Sequence, residues 1–299
     1  MATAHHSAND RRGLLLAMAG FALLSLGDAV VKSMAGEWAP SAMATLRYAI
    51  GATGLSALLL AREGSSAFAF RRPGLQLLRG ASVAVATIAF FSALTVMPLA
   101  EATTITFAAP IITALLAPIV LRERARWQTW AASVAAFAGV LVVLRPNLAA
   151  LGVAALLPLA SAFAMSSLVM ANRAVAGQAS ALAMQASIAL AAVPIMLAAT
   201  VAGHFSGLAV LHVGVPSAQV IAKCAVVAIT ASSAHWLIYL GTTRAGAATI
   251  APMTYIQLVI ATALGWWWFG NQPDAVTWAG AALIIGAGLF LWRAGRAVR

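Results

Sequence analysis

The chain has 299 residues, 63% of them hydrophobic and only 8% charged, with a formal net charge of +11 at pH 7. That composition lies far outside the range of soluble globular chains and excludes the two soluble domains that length alone would allow. The basic residues stand singly at the ends of apolar runs rather than in a patch interleaved with aromatics, which favours membrane topology and argues against a nucleic-acid partner.

The polar start MATAHHSANDRRG, followed by an apolar run too long for a signal core, carries no cleavable-signal pattern, so no cleaved leader is expected. Ten apolar segments follow, near 13–33, 41–61, 75–96, 101–121, 127–144, 148–172, 179–202, 217–243, 246–269 and 275–293. About 20 residues suffice to cross a hydrocarbon core of roughly 30 Å. Short links such as Pro146-Asn147 and Thr243-Arg244-Ala245 make neighbouring segments antiparallel. With the amino terminus in the cytoplasm, Lys32, Arg47, Arg145 and Lys223 fall toward the outside and the other fourteen of the 18 Lys and Arg fall inside. Both termini are then cytoplasmic, as an even number of spans requires. Every tryptophan but Trp236 lies near a predicted helix end, where an amphipathic ring suits the headgroup level.

The stretch 97–124 is unusual among the ten. Glu101 opens it, Pro110 and Pro118 interrupt it, and Arg122-Glu123-Arg124 stops it. A proline in a span frees a backbone carbonyl that lipid cannot satisfy, so this helix must pack against protein or face a wet cavity.

Shifting the sequence by 148 lays the fourth and fifth segments on the ninth and tenth. Thr106 then meets Thr254, Phe107 meets Tyr255, and Thr129-Trp130-Ala131 meets Thr277-Trp278-Ala279. The first and sixth segments align at a shift near 141, with Lys32 on Arg173. Five helices per unit invert the second copy relative to the first, the architecture of many secondary transporters, whose site lies near the midplane between the halves. The expected fold is therefore an all-α polytopic membrane protein of ten transmembrane helices, arranged as two inverted five-helix repeats. Tails at 1–12 and 294–299 flank a first repeat at 13–145 and a second at 146–293.

Pro98-Leu99-Ala100-Glu101-Ala102-Thr103, then Pro110, then Leu121-Arg122-Glu123, resembles the EamA-type pattern of the drug/metabolite transporter superfamily. So do Ala251-Pro252, Thr254-Tyr255-Ile256-Gln257-Leu258 and Phe269-Gly270-Asn271. One departure is Asn271, which stands where the second half would repeat the acid Glu123. The resemblance implies export of small metabolites, often amino acids, across the bacterial inner membrane, with the YddG-like aromatic amino-acid exporters as the nearest subgroup.

Ionisable residues inside spans are candidates for transport work, because each costs roughly 2.5–3.5 kcal/mol at a helix centre on insertion scales. Asp28 and Lys32 are spaced i,i+4 and can pair at a helix end, or Asp28 can gate or couple at the outer mouth. Arg47, two turns into the second segment, can snorkel outward or pair with Asp28 or Glu37. Glu101 fits a helix-dipole cap. His235 and Tyr239 share a face of the eighth segment near Thr230, Ser232 and Ser233, and His235 is either a packing group or a coupling group. The strongest cluster is Thr254, Tyr255 and Gln257 after Pro252, with Thr103, Thr106 and Phe107 before Pro110 as its counterpart. Its donors and acceptors suit a zwitterionic or amide ligand. Phe90, Phe91 and Trp236 can form an apolar wall or plain core, and Ser161 and Met165, four apart, can line the same space. Gly139, Gly280, Gly286 and Gly288 allow close helix approach.

The expected activity is outward carriage of a neutral or zwitterionic metabolite by alternating access, gated or coupled at Asp28, Pro110 and Pro252, with a multidrug, nucleoside or other metabolite carrier of the same fold as the alternative. An intramembrane enzyme would need a nucleophile–base pair or a metal centre, and none of the five histidines has an acidic partner at motif spacing. The single cysteine, Cys224, excludes an internal disulfide and a cysteine-based metal site. No metal or cofactor is expected. The partners are a small-molecule substrate and the lipid bilayer, with the chain a monomer or weak homodimer. A pore or an interaction subunit is the other class, and saturable flux separates a carrier from a pore.

Overall fold

The computed structural model describes residues 2–69, 72–120, 127–175, 177–245 and 250–296. Arg71, the basic stop at 122–126 with Glu123, the start of the ninth segment and Arg299 lie outside them. Among the described residues all regular structure is helical. The α-helices are α1 (Ala2–Lys32), α2 (Pro40–Glu63), α3 (Pro73–Val96), α4 (Leu99–Thr106), α5 (Ala109–Val120), α6 (Trp127–Leu151), α7 (Leu157–Ala174), α8 (Ala181–His204), α9 (Ala218–Ala245), α10 (Ile256–Phe269) and α11 (Ala275–Arg296).

Six helical stretches among the described residues are long and apolar enough to cross a membrane: Arg11–Lys32, Pro40–Glu63, Pro73–Val96, Ala149–Ala174, Ala181–His204 and Ala218–Arg244. At 1.5 Å per residue the five continuous α-helical ones reach the roughly 30 Å that a bilayer core demands, and Ala149–Ala174 adds a 3₁₀ stretch ahead of α7. The chain is thus a polytopic all-α protein. Starts follow local chemistry. Pro40 and Pro73 open α2 and α3 at positions whose N–H would be orphaned anyway, and the Ser180 hydroxyl caps α8 by accepting from Ala183 N–H at 3.0 Å. Asp274 caps α11 by accepting from Thr277 N–H at 2.7 Å, and these bonds hold its carboxyl below the usual aspartate range.

Three predicted segments change shape. The fourth divides into α4 and α5 at Phe107-Ala108. Pro110 sits in the first turn of α5 and has no N–H to give the Thr106 carbonyl, which a continuous helix would require. The N–H groups of Phe107 and Ala108 instead close back on Thr103, Thr104 and Ile105 carbonyls at 3.1–3.2 Å. The ninth begins as a 3₁₀ turn, Ala251–Tyr255, before α10. The fifth runs on as α6 to Leu151, past the loop expected at Pro146-Asn147, and a 3₁₀ stretch Gly152–Leu156 turns the chain into α7. A proline removes one helical hydrogen bond without obliging the helix to end.

The helices pair as α1 on α9, α3 on α7, α2 on α8 and α6 on α11. Small residues set a close α6–α11 seam: a Cβ on Gly139 would stand 2.8 Å from the Gly280 carbonyl, and one on Gly280 would run into Val143 Cγ2. Gly280→Ala should therefore cost about 1–3 kcal/mol of stability by overpacking. Gly286→Ala on the same helix, where a Cβ meets nothing within 4 Å, should be neutral or slightly stabilising. Thermal unfolding in detergent compares the two.

Asp274→Ala should remove about 1 kcal/mol at neutral pH. The carboxylate's folded pKa is lowered, so its contribution is present above the unfolded aspartate value near 4 and fades as pH falls through the folded one. Melting curves of wild type and variant should therefore converge in acid.

Candidate functional site

One face of α1 carries Ser25, Asp28 and Lys32 at i, i+3 and i+7, which places all three in one stripe. Ser25 Oγ donates to the Gln257 carbonyl at 3.0 Å, and the Gln257 amide Nε2 returns a bond to Asp28 Oδ2 at 3.1 Å. Gln257 stands at the start of α10, just past the 3₁₀ turn. Lys32 donates to the Leu94 and Met97 carbonyls at 3.0 and 2.8 Å. These belong to the buried C-terminal end of α3, whose last carbonyls have no helical partner. The expected Asp28–Lys32 pair is thus not formed: each group is drawn to a different helix. Glu101, in the first turn of α4, lies within Coulombic reach of Lys32.

Arg47 reaches inward from α2 rather than out to headgroups. Its guanidinium stacks 4.6 Å from the Tyr48 ring centroid and 5.7 Å from that of Phe91. With Asp28, Gly27, Phe91 and Ala231 it lines a cavity of about 30 Å³ between α1, α2, α3 and α9.

Near the centre of the bundle, Phe107 and Tyr255 meet edge to face, with centroids 5.7 Å apart and planes at 82°. The Tyr255 hydroxyl lies over Gly288 of α11, where a Cβ would fall 1.6 Å from it. Thr106 Oγ1 donates to the Thr103 carbonyl at 2.7 Å, and the buried Thr103 hydroxyl has no partner among the described residues. The structure therefore joins Asp28 to Gln257 and Phe107 to Tyr255, while Thr103 and Thr106 bond within α4 or not at all among the described residues. Pro110 sits exposed in the first turn of α5. Pro252 belongs to the 3₁₀ turn, and its side chain lies outside the described set.

The remaining candidates are more scattered. His235 bonds its own helix, with Nδ1 2.7 Å from the Ala231 carbonyl, so Nδ1 carries the proton and Nε2 is left for another partner. Tyr239, Trp236 and Met165 are 43%, 48% and 40% exposed, and the Trp236 and Tyr239 rings lie 5.8 Å apart. Ser161 is buried in the α3–α7 seam, where it donates to the Ala86 carbonyl at 2.8 Å. Phe90 packs partly buried against the core, while its neighbour Phe91 faces the Arg47 cavity.

Sequence reasoning missed Arg79, read there only as a topology-setting charge. It is 1% exposed. It donates to Asn172 Oδ1 at 2.7 Å, Ser187 Oγ at 3.1 Å and the Met184 carbonyl at 3.0 Å, and also to Gln76 Oε1. One guanidinium thus ties α3, α7 and α8 together. The only trace in the sequence is Gln76 three residues before Arg79. Arg79→Ala should take a shared donor from Asn172, Ser187 and Met184 in a buried seam and lower stability by about 1–3 kcal/mol. Chemical or thermal unfolding of the purified variant reads this out.

Residues 11–145 match the EamA-like transporter family. That part of the chain is an EamA-like transporter domain. A riboflavin transporter of Rhizobium johnstonii is 28% identical over 234 residues, covering 78% of this chain and 75% of that protein. An S-adenosylmethionine uptake transporter of Rickettsia prowazekii is 27% identical over 228 residues, covering 76% and 74%. A riboflavin transporter of Brucella anthropi is 25% identical over 267 residues, covering 87% and 93%. A solved protein crystal structure superposes with a TM-score of 0.60 at 19% identity, over 96% of this chain and 98% of that one, a likeness of fold.

Proposed function

We propose that the chain is a secondary carrier that moves a small metabolite across the bacterial inner membrane by alternating access between two inverted five-helix halves. The observation that carries this reading is the contact between Phe107 and Tyr255. They are mates under the 148-residue shift, and a residue touches its repeat-mate only close to the axis relating the two copies. Helix pairing supports the same symmetry. Exchanging each helix for its repeat-mate turns the α1–α9 pair into α3–α7 and returns the α2–α8 and α6–α11 pairs to themselves. Breaks at Phe107-Ala108 and at Ala251–Tyr255 occupy matching places, as the discontinuous helices of inverted-repeat carriers do. The halves join after α6, near Leu151, and both termini face the cytoplasm.

The substrate is a metabolite with an apolar, ring-bearing part and a neutral or zwitterionic polar part. Aromatic and other hydrophobic amino acids moving outward are the first candidates. S-adenosylmethionine and riboflavin are the next, because relatives carry those names. Phe107 and Tyr255 supply apolar contacts at the centre, and the unpartnered Thr103 hydroxyl and the Gln257 amide supply polar ones. Asp28, Pro110 and Pro252 sit at the joints that move.

Gln257→Ala removes the side-chain bond to Asp28 and keeps the Ser25 bond to the backbone carbonyl. It should lower flux in proteoliposomes at least tenfold while leaving insertion and the elution profile of the purified protein intact. Saturable, counterflow-competent uptake by wild type is the expected result. Non-saturating flux would make the chain a pore, and unchanged flux in Gln257→Ala would remove that residue from the site.

A further inference from the structure

We propose that Arg47 and Asp28 form a subsite for an α-amino-acid zwitterion, Arg47 taking the carboxylate and Asp28 the ammonium. This rests on the carrier reading above and assigns its substrate's polar end. Both side chains line the same cavity of about 30 Å³, room for one carboxylate-sized group or a water rather than for a whole metabolite. The rest of such a ligand must extend out of it. Asp28 and Arg47 interact electrostatically, yet among the described residues Lys223–Glu37 is the ion pair that closes to within 4.0 Å, and Asp28 and Arg47 do not.

Each group keeps unused capacity toward the cavity. Gln257 occupies Oδ2 of Asp28, while Oδ1 has no hydrogen bond among the described residues. The Arg47 guanidinium makes only ring contacts with Tyr48 and Phe91, so its N–H fork has no acceptor among the described residues. That is costly for a planar five-donor cation inside a bundle, and a bidentate carboxylate is the acceptor its geometry fits. Lys32, one turn along α1, does not compete for Asp28 because two carbonyls of the α3 end hold its ammonium. Phe91 and Tyr48 flank the guanidinium with apolar rings, which suits a ligand whose zwitterion is joined to an apolar side chain.

Binding to the purified full chain in nanodiscs, measured by calorimetry, tests this with three probes. These are L-phenylalanine, L-phenylalaninamide (no carboxylate) and 3-phenylpropionate (no ammonium). Wild type should bind phenylalanine roughly tenfold or more tighter than either analogue, since each charge-assisted contact is worth about that factor. Arg47→Gln should erase the preference over the amide and keep that over phenylpropionate, and Asp28→Asn should do the reverse. Wild type binding all three alike overturns the subsite without recourse to variants, as does either preference surviving the substitution meant to remove it. If phenylalanine fails to bind while another metabolite shows saturable flux, the subsite falls and the carrier reading stands. Absence of saturable flux for every metabolite tried, with phenylalanine still bound selectively, overturns the carrier reading and leaves the subsite in place.

Discussion

Lipid offers no hydrogen bonds, and the structure is organised by that constraint. Several of the helix ends and charges inside the bundle are met by another helix. The Lys32 ammonium answers the carbonyls that end α3, Ser25 answers the carbonyl of Gln257 beside the 3₁₀ turn, and Arg79 gathers four oxygens from α3, α7 and α8. These cross-helix bonds are few and specific, so they also decide which helices must move together.

The same constraint explains why the chemistry concentrates where helices are irregular. A continuous α-helix spends its own polar groups internally. At Phe107-Ala108 and at Ala251–Tyr255 it does not, and the side chains that meet there come from opposite halves of the chain. Phe107 and Tyr255 touch at the centre, and Gln257 lies two residues beyond Tyr255, against α1. A carrier needs contacts that can be exchanged between two arrangements, and single hydrogen bonds across helix breaks are easier to exchange than long seams of interlocked alanine and glycine. The α6–α11 seam, where Gly139 and Gly280 bring two backbones together, is of the second kind.

Much of the helical plan was legible in the residues. Hydrophobic runs marked every segment that became a helix, because burial in lipid rewards length and apolarity, which composition reports directly. The matched positions Phe107 and Tyr255 were legible too, as a shift in the sequence. What escaped was partner choice. Asp28 and Lys32 are ideally spaced to pair on one helix, yet one binds Gln257, 229 residues away, and the other binds the end of α3. A local rule cannot see that a distant carbonyl is in greater need of a donor.

By itself, then, the sequence determined that this is a polytopic helical membrane protein with kinked segments at matching places, since those properties depend on short-range composition and on proline's missing N–H. Tertiary structure alone decided that Arg47 turns inward beside Asp28, that Arg79 is buried and that Ser161 serves a seam. A charged side chain near a helix end can reach headgroups, solvent or a neighbour at similar local cost. Only the shape of the space left by the other helices selects among them.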